Sequence, residues 1–421
     1  MCWGRCSTSL AERNRLLAKR KIGIDYTAAI RQGAGVGRHT RSLVAAILEQ
    51  TTPDLEFSLF YAAGGLSQSQ QSFVAAQQQK YSGQARFIAL PFSEPTLTRL
   101  WQRLKVPLPL EWVARLGQPL TNRDKVFPLD VLHFPDFALP YYRQGQSIVT
   151  IHDLSFMVRP ECAEAGLRRY LSETVPRTVK RADQVIVVSE SIKQELIERL
   201  RTPAEKLHVI YNGVSPQFRP FGQPEREALE EVRTRHALPE RFALFVSTIE
   251  PRKNLVRLVE AWAKVKQTPA GRERKLILVG RKGWLYEPIF QRIAELKLEN
   301  EISWLNFVPD DDLPALYNLA DLFVFPSLYE GFGIPPLEAL ACGRPVVVAD
   351  NSAMAEIFKG AATLCQAESV NSIAEAIIIS LENLDNSNQL IKERREEGLA
   401  RAHRLTWQNA ALQTLKLYRE S

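Results

Sequence analysis

Cysteine is scarce in this 421-residue chain. Cys2, Cys6, Cys162, Cys342 and Cys365 are odd in number and scattered, which argues against a disulfide framework and fits a reducing compartment. Cys2 and Cys6 have no second ligand pair nearby, so zinc has little support. No apolar run reaches the length that spans a bilayer, and residues 1–20 lack the apolar core of a signal peptide. A cytoplasmic protein is expected. Also missing is a dense basic stripe interleaved with aromatics. The 54 Lys and Arg against 47 Asp and Glu leave a net charge of +7 and a pI near 9.1. That charge is too diffuse to argue for nucleic acid and suits an acidic ligand or an anionic membrane surface.

What is present is ordinary globular material, 45% apolar and 24% charged, in a chain long enough for two cores. Residues 1–20 form a loose basic leader in which Leu10, Leu16 and Leu17 fit either a tail or a surface anchor. Strands expected at 21–26, 57–60, 85–90, 131–134, 147–151, 184–188 and 208–211 alternate with helices, the pattern of a doubly wound parallel α/β sheet. Residues 217–240, with Pro220, Pro224 and Pro239 around one charged helix, read as a linker between domains 21–216 and 241–402. The second series has strands at 242–246, 276–279, 302–307, 322–325 and 345–348, with helices near 254–267, 287–297, 313–320 and 372–384. Residues 403–421 read as a C-terminal helix packing back toward the first domain, with Trp407, Leu412, Leu415 and Leu417 on it. Residues 92–125 carry Trp101, Arg103, Lys105, Trp112 and Arg115, which fit either a helical excursion over the sheet or contact with lipid or carbohydrate.

The stretch 321–350 holds the most chemistry. An apolar strand at 322–325 stops at Pro326, and Tyr329-Glu330-Gly331-Phe332-Gly333 follows as a loop. Pro335 and Pro336 suit the first positions of a helix, placing Glu338 in its first turn, and Gly343 with Pro345 ends it. Glycines admit close backbone approach and a helix N-terminus favours an anion, so Glu330 and Glu338 bracket a phosphate-compatible backbone. The plainer reading is a solvated Glu330 and a Glu338 that complements the helix dipole.

Three further strand ends are candidates. Gly33-Ala-Gly35-Val-Gly37-Arg38-His39 opens onto a helix in the geometry that holds a phosphate, although Arg38 in the last glycine position rules out the dinucleotide fingerprint. His152 lies at the C-terminal end of a strand, where open parallel sheets bind ligands. Arg252 and Lys253, in Glu250-Pro251-Arg252-Lys253-Asn254, are either diphosphate ligands or solvated loop cations. Asp310-Asp311-Asp312 has a metal-compatible spacing, but its place before a helix favours capping.

Taken together these blocks resemble the retaining nucleotide-sugar glycosyltransferases of family 4. Glu330 through Glu338 matches that family's E-x7-E motif; residues 250–254, Ile151-His152-Asp153 and Gly35-Val-Gly-Arg-His39 resemble its other blocks, in its order, over residues 21–420. The resemblance implies a GT-B fold, two Rossmann-like doubly wound domains with a cleft between them. It implies that Glu330 binds donor-sugar hydroxyls, that the backbone at Phe332, Gly333 and Ile334 seats sugar and phosphate, and that Glu338 holds the ribose. Arg252 and Lys253 would neutralise the diphosphate, Gly35 would face it from the other domain, and His152 would lie near the anomeric carbon. Retention by front-face attack would need neither a metal nor another cofactor, and the glutamates would not form a glycosidase pair.

The mannosyltransferase-like branch is the nearest flavour. It implies GDP-mannose as donor and a glycan or lipid-linked acceptor, with peripheral contact at the inner membrane face left open. Two departures stand out. Ser247-Thr248 replaces a common Gly-Arg, leaving the charge to Arg252 and Lys253, and Ser352-Ala-Met-Ala-Glu356 replaces a Leu-Pro-Glu pattern. Alternatives are a nucleotide-sugar epimerase or sugar phosphorylase on the same fold, and a non-catalytic nucleotide-sugar-binding protein.

Overall fold

The computed structural model describes residues 19–33, 35–104, 106–117, 126–142 and 144–421; the leader expected at 1–20 lies almost wholly outside them. Two parallel sheets dominate. The first comprises β1 (Arg20–Asp25), β2 (Leu55–Ala62), β3 (Ala85–Leu90), β4 (Val131–Phe134), β5 (Gln146–Ile151), β6 (Gln184–Val187) and β7 (Leu207–Val209), ordered 3-2-1-4-5-6-7. The second comprises β8 (Phe242–Val246), β9 (Lys275–Val279), β10 (Ile302–Leu305), β11 (Leu322–Phe325), β12 (Val346–Ala349) and β13 (Thr363–Cys365), ordered 10-9-8-11-12-13. These are the strands expected from sequence, shifted by a residue or two, with β13 added.

Apolar, β-branched and aromatic residues make β4, β11 and β12 buried throughout, as strands covered on both faces require. In each sheet the strand order reverses once. The reversal falls between β1 and β4, where Ile24 lies opposite His133, and between β8 and β11, where Phe323 lies opposite Leu244. Open α/β sheets bind ligands outside the carboxyl ends of the strands at such a reversal.

By compactness the chain divides into two units. One contains residues 19–150 with Arg181–Val185 and Ala411–Ser421; the other contains Ile151–Lys180 and Ile186–Ala410. In the first, the end of the last helix (Trp407–Glu420) is fixed by the buried Tyr418 hydroxyl, 2.7 Å from His133 Nδ1, whose Nε2 lies 2.8 Å from Thr150 Oγ1. Of the four apolar residues noted on that helix, Trp407, Leu415 and Leu417 are buried and Leu412 faces solvent. Asp25 ends β1, and burial lifts its carboxyl to about 7; Thr27 opposes the rise, while Asp136 and Glu94 add to it.

In the second unit, fully buried Arg274 donates to Asp321 at 2.8 Å and to Asp385 at 2.6 Å. Arg274 and Asp321 immediately precede β9 and β11, so this network closes the amino edge of the sheet. The carboxyl edge is left for chemistry. Asp312 occupies the N-cap position of the helix Leu313–Leu319, but its carboxylate caps no amide. It is bound by Arg235 at 2.6 Å and His236 at 2.7 Å instead.

Candidate active site

The second unit's strand-order reversal brings two loops together. After β8 the chain forms a short 3-10 turn, Pro251–Lys253, then Asn254 takes a left-handed conformation and starts the helix Leu255–Val265. After β11 it runs through residues 326–333 into the helix Ile334–Ala341. The loops are stitched by Leu328 N donating to Arg252 O at 2.9 Å, and by Asn254 Nδ2 donating to Pro326 O at 2.9 Å. Asparagine tolerates the left-handed turn and supplies a side-chain donor, which explains its place here.

Across this seam Arg252 donates to Tyr329 O at 3.0 Å and to Glu250 Oε1 at 2.9 Å, and pairs with Glu330 Oε2 at 2.8 Å. Lys253 Nζ donates to the other Glu330 oxygen at 2.6 Å and sits 5.1 Å from the centre of the Phe325 ring. Lys253, Glu250 and Glu330 are all buried. Burial alone would raise the Glu330 carboxyl, but Arg252 and Lys253 outweigh it and hold it at about 2. Burial likewise works against the Arg252 charge, and the carboxylates of Glu330, Glu250 and Asp153 reverse that. Two basic and two acidic side chains thus pair within one largely buried patch.

The backbone around Glu330 is fixed from several sides. Ser352 Oγ donates to Glu330 O at 3.1 Å, Asn351 Nδ2 donates to Ser327 O and Leu328 O at 3.0 Å each, and Ser189 Oγ donates to Gly331 O at 2.8 Å. A side chain at Gly331 would begin 1.7 Å from the carbonyl oxygen of His152, so glycine is required there and His152 lies against the loop. Tyr329 links the same elements, donating to Glu195 at 2.7 Å and accepting from Leu154 N at 3.1 Å.

Gly333, at φ 96°, turns the chain into the helix. Among the described residues no acceptor is recorded for the amides of Phe332, Gly333 and Ile334, and the prolines that follow have none to offer. These amides sit at the positive end of the helix dipole, two to four residues from Glu330.

Arg252, Lys253, Glu330, His152, Phe332, Gly333 and Ile334 therefore belong to one locality. Glu338 lies deeper: it is the fifth helical residue rather than part of the first turn, it is buried, and Tyr317 Oη donates to it at 2.9 Å. Gly35 belongs to the first unit, where it adopts φ 57° at the start of the helix Val36–Leu48. The glycine loop is shorter than expected, because residues Thr27–Arg31 are helical and Gly37 packs inside the next helix against the carbonyls of Gln32 and Ala28.

Glu250 was not among the residues expected to matter. Its proximity to Arg252 in sequence was visible, but not its burial. Glu356 is structural. It accepts from Glu190 N, Ser191 N, Ser191 Oγ and Tyr211 Oη at 2.8–2.9 Å, neutralising the N-terminus of the helix Glu190–Leu200.

The family description Glycosyltransferase Family 4 matches residues 34–218, and Glycosyl transferases group 1 matches residues 229–397. The O-antigen chain mannosyltransferase B of Escherichia coli is 30% identical over 91% of this chain and 96% of its own length. The O-antigen chain mannosyltransferase RfbU of Salmonella typhimurium is 28% identical over 54% of this chain and 59% of its own. Among solved structures, the sucrose-phosphate synthase of Thermosynechococcus elongatus superposes with a TM-score of 0.71 at 20% identity, over 96% of this chain and 99% of that one. With two parallel doubly wound sheets, and buried cations and a glutamate gathered at the strand-order reversal of the second, the chain belongs to the family 4 glycosyltransferases of GT-B fold.

Proposed function

We infer that this enzyme transfers mannose, as its O-antigen mannosyltransferase relatives are named for doing, with retention, from a nucleotide diphosphate sugar, for which we propose GDP-mannose, to a glycan or lipid-linked acceptor at the inner face of a membrane. The observation that carries the chemistry is the Arg252–Glu330–Lys253 cluster beside the unbonded amides at 332–334. A departing nucleotide diphosphate gains negative charge, and fixed cations and amides aimed at it lower the barrier without reorganising. Glu330 exchanges its cations for the diphosphate and turns to the donor-sugar hydroxyls, Phe332, Gly333 and Ile334 seat the phosphate, and Glu338 takes the ribose. His152 lines the sugar.

A carboxylate held at about 2 is a poor base at neutral pH. Membership of family 4 supports front-face attack, in which the acceptor proton goes to the leaving phosphate rather than to Glu330. The cations supply the charge that a metal would, so no metal enters the reading.

The test is Lys253→Ala assayed with GDP-mannose and a mannose-terminated acceptor, where turnover should fall about 10²–10³-fold. Near-wild-type turnover would remove Lys253 from its role, and loss of activity in excess EDTA would bring a metal back. A thermal-shift screen of GDP- and UDP-sugars identifies the donor, since a ligand at 100 times its Kd stabilises the fold by about 2.7 kcal/mol.

A further inference from the structure

The buried phenol of Tyr329 carries the Glu330 loop's contacts beyond the ionic cluster. Its hydroxyl donates to Glu195 Oε2 at 2.7 Å while accepting from Leu154 N at 3.1 Å. Its backbone carbonyl accepts from Arg252 Nη1 at 3.0 Å. One residue therefore holds Arg252 through its main chain and the segment just past His152 through its side chain. Leu154 is fully buried, so its amide has no water to turn to and depends on the phenol oxygen. The turn before it is fixed locally, Asp153 Oδ1 accepting from Ser155 N at 2.9 Å. Glu195 stands on the helix Glu190–Leu200, whose first turn is pinned by Glu356, and is thereby held in place.

The direction of the proton matters. A hydroxyl has one hydrogen to give, and an ionised carboxylate takes it in a charge-assisted bond that leaves the oxygen lone pair for the Leu154 amide. A protonated Glu195 loses that charge and competes as a donor for the same oxygen. Burial raises the Glu195 carboxyl above its ordinary 4.5; the Tyr329 bond and Arg199 pull it down, while Asp153 and Glu198 add to the rise. Arg199 and Glu198 lie on its own helix, Asp153 and Tyr329 on the segments packed against it.

We propose that Tyr329 and Glu195 are positioning residues for transfer: the ionised Glu195 orients the Tyr329 hydroxyl, which holds the Leu154 amide and so keeps His152 against the Glu330 loop. This deepens the transferase reading and rests on it. Removing the hydroxyl leaves the cations and the amides at 332–334 where they are, but frees the histidine segment to drift from them. Displacements of about 1 Å are enough to cost two orders of magnitude in rate.

Transfer from GDP-mannose to a mannose-terminated acceptor, followed from neutral into acid pH, tests it. Tyr329→Phe should lower turnover about 10–10²-fold while KM for the donor changes less than about twofold. Glu195→Leu should do the same, whereas Glu195→Gln, whose amide oxygen still accepts from the phenol, should retain most of the turnover. Wild-type turnover should fall as pH drops through the raised Glu195 value, and Glu195→Gln should lose that part of the fall. Hydrogen exchange of the full chain without donor gives a second readout. The Leu154 amide should exchange at least about tenfold faster in Tyr329→Phe and Glu195→Leu than in wild type or Glu195→Gln. Circular dichroism melts of each variant separate lost positioning from lost fold. An acid fall unchanged by Glu195→Gln, wild-type turnover in Tyr329→Phe, or Leu154 exchange indifferent to both disruptive variants would each overturn the proposal. A wild type that transfers no mannose would instead sink the transferase reading, and exchange at Leu154 would still decide whether the phenol holds that segment.

Discussion

Replacing Glu330 with glutamine is the most searching perturbation of the site. The side chain keeps its shape and loses its charge, leaving Lys253 without its 2.6 Å ion pair while Arg252 retains Glu250 and the Tyr329 carbonyl. The gap between the ordinary carboxyl value of 4.5 and about 2 is worth roughly 3 kcal/mol, in line with the roughly 3–5 kcal/mol cost of removing one partner from a buried pair. The sign follows from linkage. A carboxyl whose value is depressed in the folded state contributes stability that is complete above 4.5 and is lost as pH falls toward about 2. Urea unfolding should therefore separate wild type from Glu330→Gln by about 3 kcal/mol at pH 7, with the difference shrinking below pH 4.5. Adding Lys253→Met should recover much of the loss, because two neutral groups leave no orphaned charge. Equal midpoints at pH 7, or a difference that persists undiminished at acid pH, would refute the buried-pair account. So would a double variant no better than the sum of its parts.

Two further predictions concern different physics. Gly331→Ala places a carbon 1.7 Å from the His152 carbonyl, so the Glu330 loop must shift; stability should fall by about 1–3 kcal/mol in thermal unfolding, with turnover falling further than stability accounts for. A Gly331→Ala enzyme with wild-type melting and turnover would show that the loop has room to spare. Asp25, lifted by burial to about 7, holds its proton in the folded state after the unfolded chain has released it, so its contribution to stability declines as pH rises from 3.8 toward 7. Asp25→Asn should consequently be more stable than wild type at pH 8, by at least about 1 kcal/mol, with the advantage vanishing near pH 4; a pH-independent difference would contradict the burial argument.

The strands were legible because parallel strands covered on both faces must be apolar along their whole length, and runs such as Leu322–Phe325 and Val346–Ala349 are. The turn into the helix Ile334–Ala341 was legible too, since Gly333, Pro335 and Gly343 each answer a local backbone demand. Side-chain partners were not. Asp312 sits where a capping residue should, yet its carboxylate is claimed by Arg235 and His236 from a helix about 75 positions earlier. Leu412 lies off the buried face of the last helix, whereas Tyr418 lies on it and meets His133, a partner 285 positions earlier that no local pattern shows.

The ionic cluster shows why a site can be identified residue by residue and still be misjudged as a mechanism. Local sequence offers Arg252 and Lys253 as two loop cations and Glu330 as a loop carboxylate, and for each the solvated reading is reasonable. What removes that option is strand order. β8 and β11 are adjacent in space with two strands between them in sequence, so the loops that follow them meet at the reversal of the sheet, burying Lys253 and Glu330 and leaving Arg252 partly covered. Once buried, the cations require a carboxylate and the carboxylate is driven far from any value useful to a base. The same topology that gathers the two cations thereby holds Glu330 as a carboxylate, the observation on which its proposed role in binding a sugar rather than moving a proton rests.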